Sequence, residues 1–318
     1  MAGLAARMRC LQLLSLLFVT SNAAFNKIGF HLGPGGDHDG ILDYLQELDA
    51  AKIPFSIKNV DTYDVLDFAV NLTLVSGVNH SIIYRDTSLD IPDYSKDPAD
   101  AAAAHWALQM ARMPPNFNKQ LVWLELINEP DQTKGDWLGQ FGVAAAKLAM
   151  DQGYKIAMFA FSTGTPYVGA STDPYNSWET PGMQEYLKLC AQYPDLLAVS
   201  LHEYSLDNQQ IMTGYPYLIG RFQFLFETCD NHSIARPTLF ITEWGWGASL
   251  VPDTSVGVPQ MMEVAAIYAQ HETLQSANMW YLGPGFGGIA EYAVKYIQPV
   301  KEYTLNHTFP GPNATGWL

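Results

Sequence analysis

Eight short apolar runs rich in β-branched and aromatic residues recur along the chain, each followed by a longer amphipathic segment. In order they are NKIGFH, PFSIKNVD, HSIIYR, LVWLELINEP, YKIAMFAFS, LLAVSLHEY, PTLFITEWG and SANMWYLG. Between them lie helical patterns such as ILDYLQELDAA, DAAAAHWALQMARM, DWLGQFGVAAAKLAMDQG, QEYLKLCAQY, YLIGRFQFLFETC and MMEVAAIYAQHETLQ, with AVKYIQPVKEYTL as the last. Alternating strands and helices imply a parallel sheet. Eight such units predict closure into a (β/α)8 barrel, the TIM barrel, as a single α/β domain.

An open doubly wound sheet would more often show five or six units and a glycine-rich nucleotide turn after the first strand. The only candidate for that turn, Gly33 to Gly36, lacks the GXGXXG spacing and reads as an ordinary loop.

The first 23 residues have a basic start at Arg7 and Arg9, an apolar run from Cys10 to Val19, and small residues at Ser21 and Ala23. This is the pattern of a signal peptide, so residues 1–23 are expected to be removed and 24–318 to form the barrel. Its apolar run is far shorter than the roughly 20 residues needed to span a membrane. The expectation is a secreted protein that is not an integral membrane protein. Five sequons, at Asn71, Asn79, Asn231, Asn306 and Asn313, fit a secreted glycoprotein. Cys190 and Cys229 remain after the signal, either as one disulfide or as two buried thiols.

The formal charge of −15 argues against nucleic acid as a partner. It favours neutral substrates over anionic ones. The compact cluster Asp37, His38 and Asp39 lacks a matching distant ligand set, and neither a metal nor another cofactor is expected.

In a barrel of this kind the active site lies at the carboxyl ends of the strands. The polar residues that end the apolar runs are His31, Lys58, Asp61, Arg85, Asn128, Glu129, Ser162, His202, Tyr204, Glu243 and Trp280. Glu129 and Glu243 stand out because each closes a hydrophobic strand. Retaining glycoside hydrolysis needs two carboxyl groups about 5 to 5.5 Å apart, one to protonate the leaving oxygen and one to attack the anomeric carbon. Strands four and seven lie across the barrel mouth, so their ends can converge. Arg85 or Lys58 is expected to keep Glu243 ionised, while that charge and apolar walls raise the pKa of Glu129.

LELINEP, then LHEYS, then LFITEWGWG resembles the clan A glycoside hydrolases, retaining β-glycosidases of cellulase, mannanase and xylosidase type. The resemblance implies Glu129 as acid/base, Glu243 as nucleophile and Asn128 as donor to the sugar 2-hydroxyl. It implies that Tyr204 bonds Glu243, that His202 lines the pocket, and that Trp280 floors the subsite of the attacked sugar. Cellulase-type members carry Arg and His near the ends of strands two and three, where this chain has Lys58 and Arg85. Trp244 and Trp246 are expected to be either core fillers or sugar-stacking platforms. Glu203, one position out of phase with His202 and Tyr204, is expected to point away from the pocket, and Glu125 to be structural.

The expected partner is therefore a carbohydrate, cut at a β-linkage with retention and without a cofactor, by an endo-acting enzyme on a neutral polysaccharide such as a β-glucan. Two rivals use the same scaffold: a catalytically silent carbohydrate-binding barrel and a transglycosylase.

Overall fold

The computed structural model describes residues 24–167, 176–247 and 250–311. Its centre is a closed parallel barrel whose strands follow chain order. They are β1 (Ile28–Leu32), β2 (Ser56–Val60), β3 (Ser81–Arg85), β4 (Val122–Glu125), β5 (Lys155–Phe161), β6 (Leu197–Ser205), β7 (Thr238–Trp246) and β8 (Leu274–Trp280). β8 closes on β1, with Ile28 beside Ala277 and His31 beside Trp280. The predicted barrel is thus the observed one. The signal segment lies outside the described residues.

Helices α1 (Ile41–Ala50), α2 (Asp64–Ser76), α3 (Pro98–Arg112), α4 (Gly135–Gln152) and α5 (Pro181–Gln192) wrap the first half. α6 (Phe222–Asn231), α7 (Thr254–Ala269), the short α8 (Ala290–Ala293) and α9 (Ile297–Asn306) complete the ring. α1 buries Ile41, Tyr44, Leu45 and Leu48, the spacing of one helical face. α3 starts where the Asp97 side chain accepts the Ala99 amide and Pro98 presets the first turn. α4 stops at Gly153, whose φ of 73° lets its amide reach the carbonyls of Ala149 and Met150.

One helix and two boundaries differ from the sequence reading. α2 was not among the helical patterns named, because its exposed face carries Leu74 and Val75 and blurs the periodicity. α7 begins at Thr254, tolerates Pro259 in its interior, and ends before HETLQ, whose last two residues open β8. α6 begins only at Phe222, after a turn through residues 217–221.

Two apolar layers hold the fold. The large one lies between barrel and helices. A small one, Ile83, Trp123, Ala157, Ala198 and Phe240, takes one residue from each of β3 to β7 and plugs the barrel interior. Cys190 and Cys229 are both buried free thiols, which decides that open alternative. Four of the five sequon asparagines are exposed, and Asn313 lies outside the described residues. No helix among the described residues is long and apolar enough to cross a membrane.

Candidate active site

Above the apolar plug the barrel interior turns polar, and at the carboxyl ends of the strands it opens into a cleft of about 600 Å³. Glu243 sits in its floor. In β6, Ala198 belongs to the plug, so Ser200, His202 and Tyr204 face inward by period two. In β7, Phe240 belongs to the plug, and strict alternation would turn Glu243 outward. The register slips between Leu201 and His202, so that Leu201 pairs with Ile241 but His202 with Glu243. That bulge brings Glu243 onto the inward face.

The same slip explains a correction. Trp244 pairs with Glu203 on the outer face, is fully buried and packs on Trp246 at 5.5 Å, so it is core rather than a sugar platform. Trp246 is nearly as buried. It reaches the cleft edge while its indole N–H donates to Gln260 Oε1 at 2.9 Å.

The Glu243 carboxylate is enclosed by donors. Its Oε2 accepts from the Tyr204 hydroxyl at 2.7 Å and lies 3.5 Å from His202 Nδ1. Its Oε1 lies 3.2 Å from an Arg85 guanidinium nitrogen, 3.5 Å from Lys58 Nζ and 3.8 Å from His31 Nδ1. Burial alone would raise its pKa. The His202 ring and the Lys58 and Arg85 cations outweigh burial and hold the carboxyl well below its usual range. His31 does not add a charge, because burial and the neighbouring Lys58 hold its pKa far below the imidazole norm.

Glu129 is placed differently. β4 ends at Glu125, and the chain runs on past the ladder until the Glu129 amide donates to Ala160 O at 3.1 Å, with Glu129 at a φ of 45°. Its side chain is 43% exposed against 9% for Glu243. His202 Nδ1 stands 3.0 Å from Glu129 Oε1 and 3.5 Å from Glu243 Oε2, so these oxygens can be no farther apart than those two distances laid end to end. That bound includes the separation of a retaining pair, about 5 to 5.5 Å.

The expected rise in the Glu129 pKa is not found. The hydrogen bond to His202 pulls it down, more strongly than partial burial and Glu243 push it up. Water on its exposed side removes the apolar enclosure that the sequence reading assumed.

Beneath the cleft lies an ion lattice. Lys58 Nζ donates to Glu125 Oε1 at 2.6 Å, and Arg85 reaches the same oxygen at 3.2 Å. Against the burial that would raise it, these two cations hold Glu125 ionised. Arg85 also donates to Asn128 Oδ1 and faces Asp90 Oδ1 across 3.4 Å. Lys58, expected to keep Glu243 ionised, and His202, expected to line the pocket, are buried and do not line the cleft. They act on the carboxylates from behind, because both lie deeper in the barrel than the strand ends. Arg85 and Asn128 do line it. Glu203 points outward, accepting the amides of Gly220 and Phe222 and the Tyr268 hydroxyl.

One wall of the cleft is aromatic. Trp280 packs edge-on against Tyr204 at 6.0 Å, stacks on Tyr281 at 5.2 Å and meets Phe286 at 4.6 Å. The Tyr281 ring occupies the space that a Cβ would need at Gly33 and at Gly283, so the loops after β1 and after β8 each have glycine to seat that wall. Asp37 and His38 satisfy that loop's own backbone: Asp37 accepts the Asp39 amide and His38 bonds Gly33 O.

Asp90, Thr163, Tyr281 and Phe286 also line the cleft and were missed from sequence. Asp90 and Thr163 lie in loops and Phe286 opens a three-residue 3-10 turn, where no periodicity marks a face. Glu125 had a signal, since it lies two residues from the inward Trp123.

No protein-family model and no curated protein matches the chain. Among solved structures it is similar to a GH5-4 broad specificity endoglucanase from an uncultured bacterium, with 11% sequence identity and a TM-score of 0.47 over 89% of this chain and 94% of that one. It is similar to a glycoside hydrolase family 30 subfamily 8 xylanase from Clostridium acetobutylicum, with 13% identity and a TM-score of 0.44 over 88% of this chain and 71% of that one. A mutant tryptophan synthase α-subunit from Pyrococcus furiosus matches at 12% identity and a TM-score of 0.31, over 90% of this chain and 100% of that one. The chemistry of the cleft rests on the residues described above.

Proposed function

We propose that this protein is a retaining glycoside hydrolase of clan A type, cutting a β-linked, neutral glycan by double displacement. The observation that carries the reading is the single His202 nitrogen within reach of both carboxylates, which keeps their oxygens within a bound that includes the separation of a retaining pair. The second support is asymmetry: Glu243 is enclosed and strongly ionised, while Glu129 is open to the cleft.

In this mechanism Glu243 attacks the anomeric carbon of a sugar lying over Trp280, and Glu129 protonates the departing oxygen. A bound sugar strips water from the exposed side of Glu129, and that desolvation favours the protonated acid the first step needs. Attack turns the Glu243 carboxylate into a neutral ester. Glu129, now the only carboxylate of the pair, takes a proton from the water that releases the sugar. The amide group of Asn128, its oxygen already held by Arg85, offers its N–H to the sugar 2-hydroxyl.

Asp90, Glu129 and Glu243 face the cleft, while Arg85, paired with Asp90 and Glu243, is the one lysine or arginine among the described lining residues, which disfavours anionic sugars. A neutral polysaccharide such as a β-glucan, attacked internally, is the proposed substrate. Export is proposed with it, on the basic and apolar start of the chain and the exposed sequons.

Glu243→Gln is expected to abolish turnover on activated and natural substrates alike. Glu129→Ala is expected to slow poor leaving groups most and to yield a β-glycosyl azide when azide is added, identified by NMR. Near wild-type activity in both variants on a substrate the parent cleaves would sink this reading. Product chromatography over a polysaccharide panel separates hydrolysis from transfer to a second sugar.

A further inference from the structure

The turn after β8, Gly283-Pro284-Gly285-Phe286-Gly287-Gly288, holds one bulky residue among glycines. Gly285, Gly287 and Gly288 have φ values of 82°, 70° and 81°, and Phe286 shares their left-handed conformation at 47°. A side chain with a Cβ occupies that region only at a cost, and the fold gains little burial in return, since Phe286 is 58% exposed. Its ring is nevertheless fixed, edge-on to Trp280 at 4.6 Å and to Tyr281 at 5.9 Å, and it lines the cleft. A strained backbone that presents an ordered aromatic face to a cleft is a binding feature rather than a packing one.

Its position sets what it binds. In the closed barrel β4 and β8 are diametrically opposite. Glu129, beyond β4, must sit on the side of the leaving group it protonates. Trp280 ends β8 and Phe286 follows it in the turn beyond, on the side of the barrel opposite β4.

We infer that Phe286 is the stacking platform of a second glycone subsite, which takes the apolar CH face of the pyranose next to the attacked sugar. This assignment rests on the catalytic reading above and adds a length requirement to it. The chain is gripped by at least two sugar units on its non-reducing side, so a disaccharide is released in preference to a monosaccharide.

The test compares 4-nitrophenyl β-cellobioside with 4-nitrophenyl β-glucoside, with the matching xylose and mannose pairs run beside them. The wild type is expected to favour the disaccharide of the pair it hydrolyses. Phe286→Ala should lower kcat/KM for the disaccharide glycoside about tenfold more than for the monosaccharide one. Phe286→Trp should restore the preference. Equal losses on both glycosides, or no loss on either, overturn the platform while leaving the catalytic reading intact.

If the wild type hydrolyses no pair, the catalytic reading fails. The sugar-stacking role of Phe286, apart from any place beside an attacked sugar, is then judged by calorimetric titration with cellotetraose, xylotetraose and mannotetraose. Weaker binding by Phe286→Ala supports it, and equal binding, or none by the wild type, overturns it.

Discussion

Lys58 Nζ and Glu125 Oε1 meet at 2.6 Å in the fully buried barrel interior, directly beneath the Glu243 carboxylate. Taking two charges out of water is costly, and the pair is sustained by its place between Arg85 and Glu243. Removing either partner leaves a buried charge with less compensation. Lys58→Met and Glu125→Leu are each expected to cost about 3–5 kcal/mol of stability, and the double variant markedly less than the two costs combined. Chemical denaturation of the three variants measures this. Strictly additive losses would show that the two residues do not act as a pair.

His202 lowers the pKa of Glu129 chiefly through its hydrogen bond and that of Glu243 electrostatically. His202→Phe removes both effects, so both carboxyl pKa values should rise. The acidic and basic limbs of the kcat/KM profile are then expected to move together to higher pH. If only one limb moved, the ring would serve one carboxylate and the shared geometry would lack consequence.

Burial pushes Glu203 up from 4.5 to about 7. A carboxyl group whose folded pKa is raised binds more protons in the folded state, so its contribution to stability is full below about 4.5 and is lost as pH rises through about 7. The loss is on the order of 3 kcal/mol. Glu203→Gln should flatten this part of the stability curve in denaturation series between pH 4.5 and pH 8. Any uniform offset reports the altered bonds to Gly220, Phe222 and Tyr268. A slope unchanged by the substitution would show that Glu203 does not titrate there.

Trp244 and Trp246 lie two residues apart, yet different outcomes are expected. Trp244→Ala opens a cavity in the core and should cost about 3–5 kcal/mol. Ligand affinity in the protein that remains folded should be unchanged, because Trp244 does not line the cleft. Trp246→Phe keeps most of the packing but loses the bond to Gln260, and should weaken saccharide binding by shifting the cleft edge. Calorimetric titration paired with thermal melts checks both. A large affinity loss in Trp244→Ala would contradict the assigned faces.

Much of the barrel was legible because period two and period 3.6 are local properties, and eight alternations leave few ways to bury every apolar face. The two strand-end carboxylates were visible for the same reason. Helix α2 was harder to read because its exposed side is itself apolar.

What only the tertiary structure decided is which way those residues point and what surrounds them. The slip between Leu201 and His202 turns Glu243 into the cleft and Trp244 out of it, reversing what the alternation from Phe240 would give. Likewise, the chain runs on past Glu125 before the Glu129 amide bonds β5 at Ala160 O, and leaves the Glu129 side chain exposed. The charge state of each carboxylate follows from neighbours contributed by other strands: Lys58 from β2, Arg85 from β3 and His202 from β6. By itself the sequence determined the barrel and the residues at its strand ends, because pattern is local. Side-chain direction, solvent exposure and electrostatic environment depend on bulges and on contacts distant in sequence, which only the closed barrel brings together.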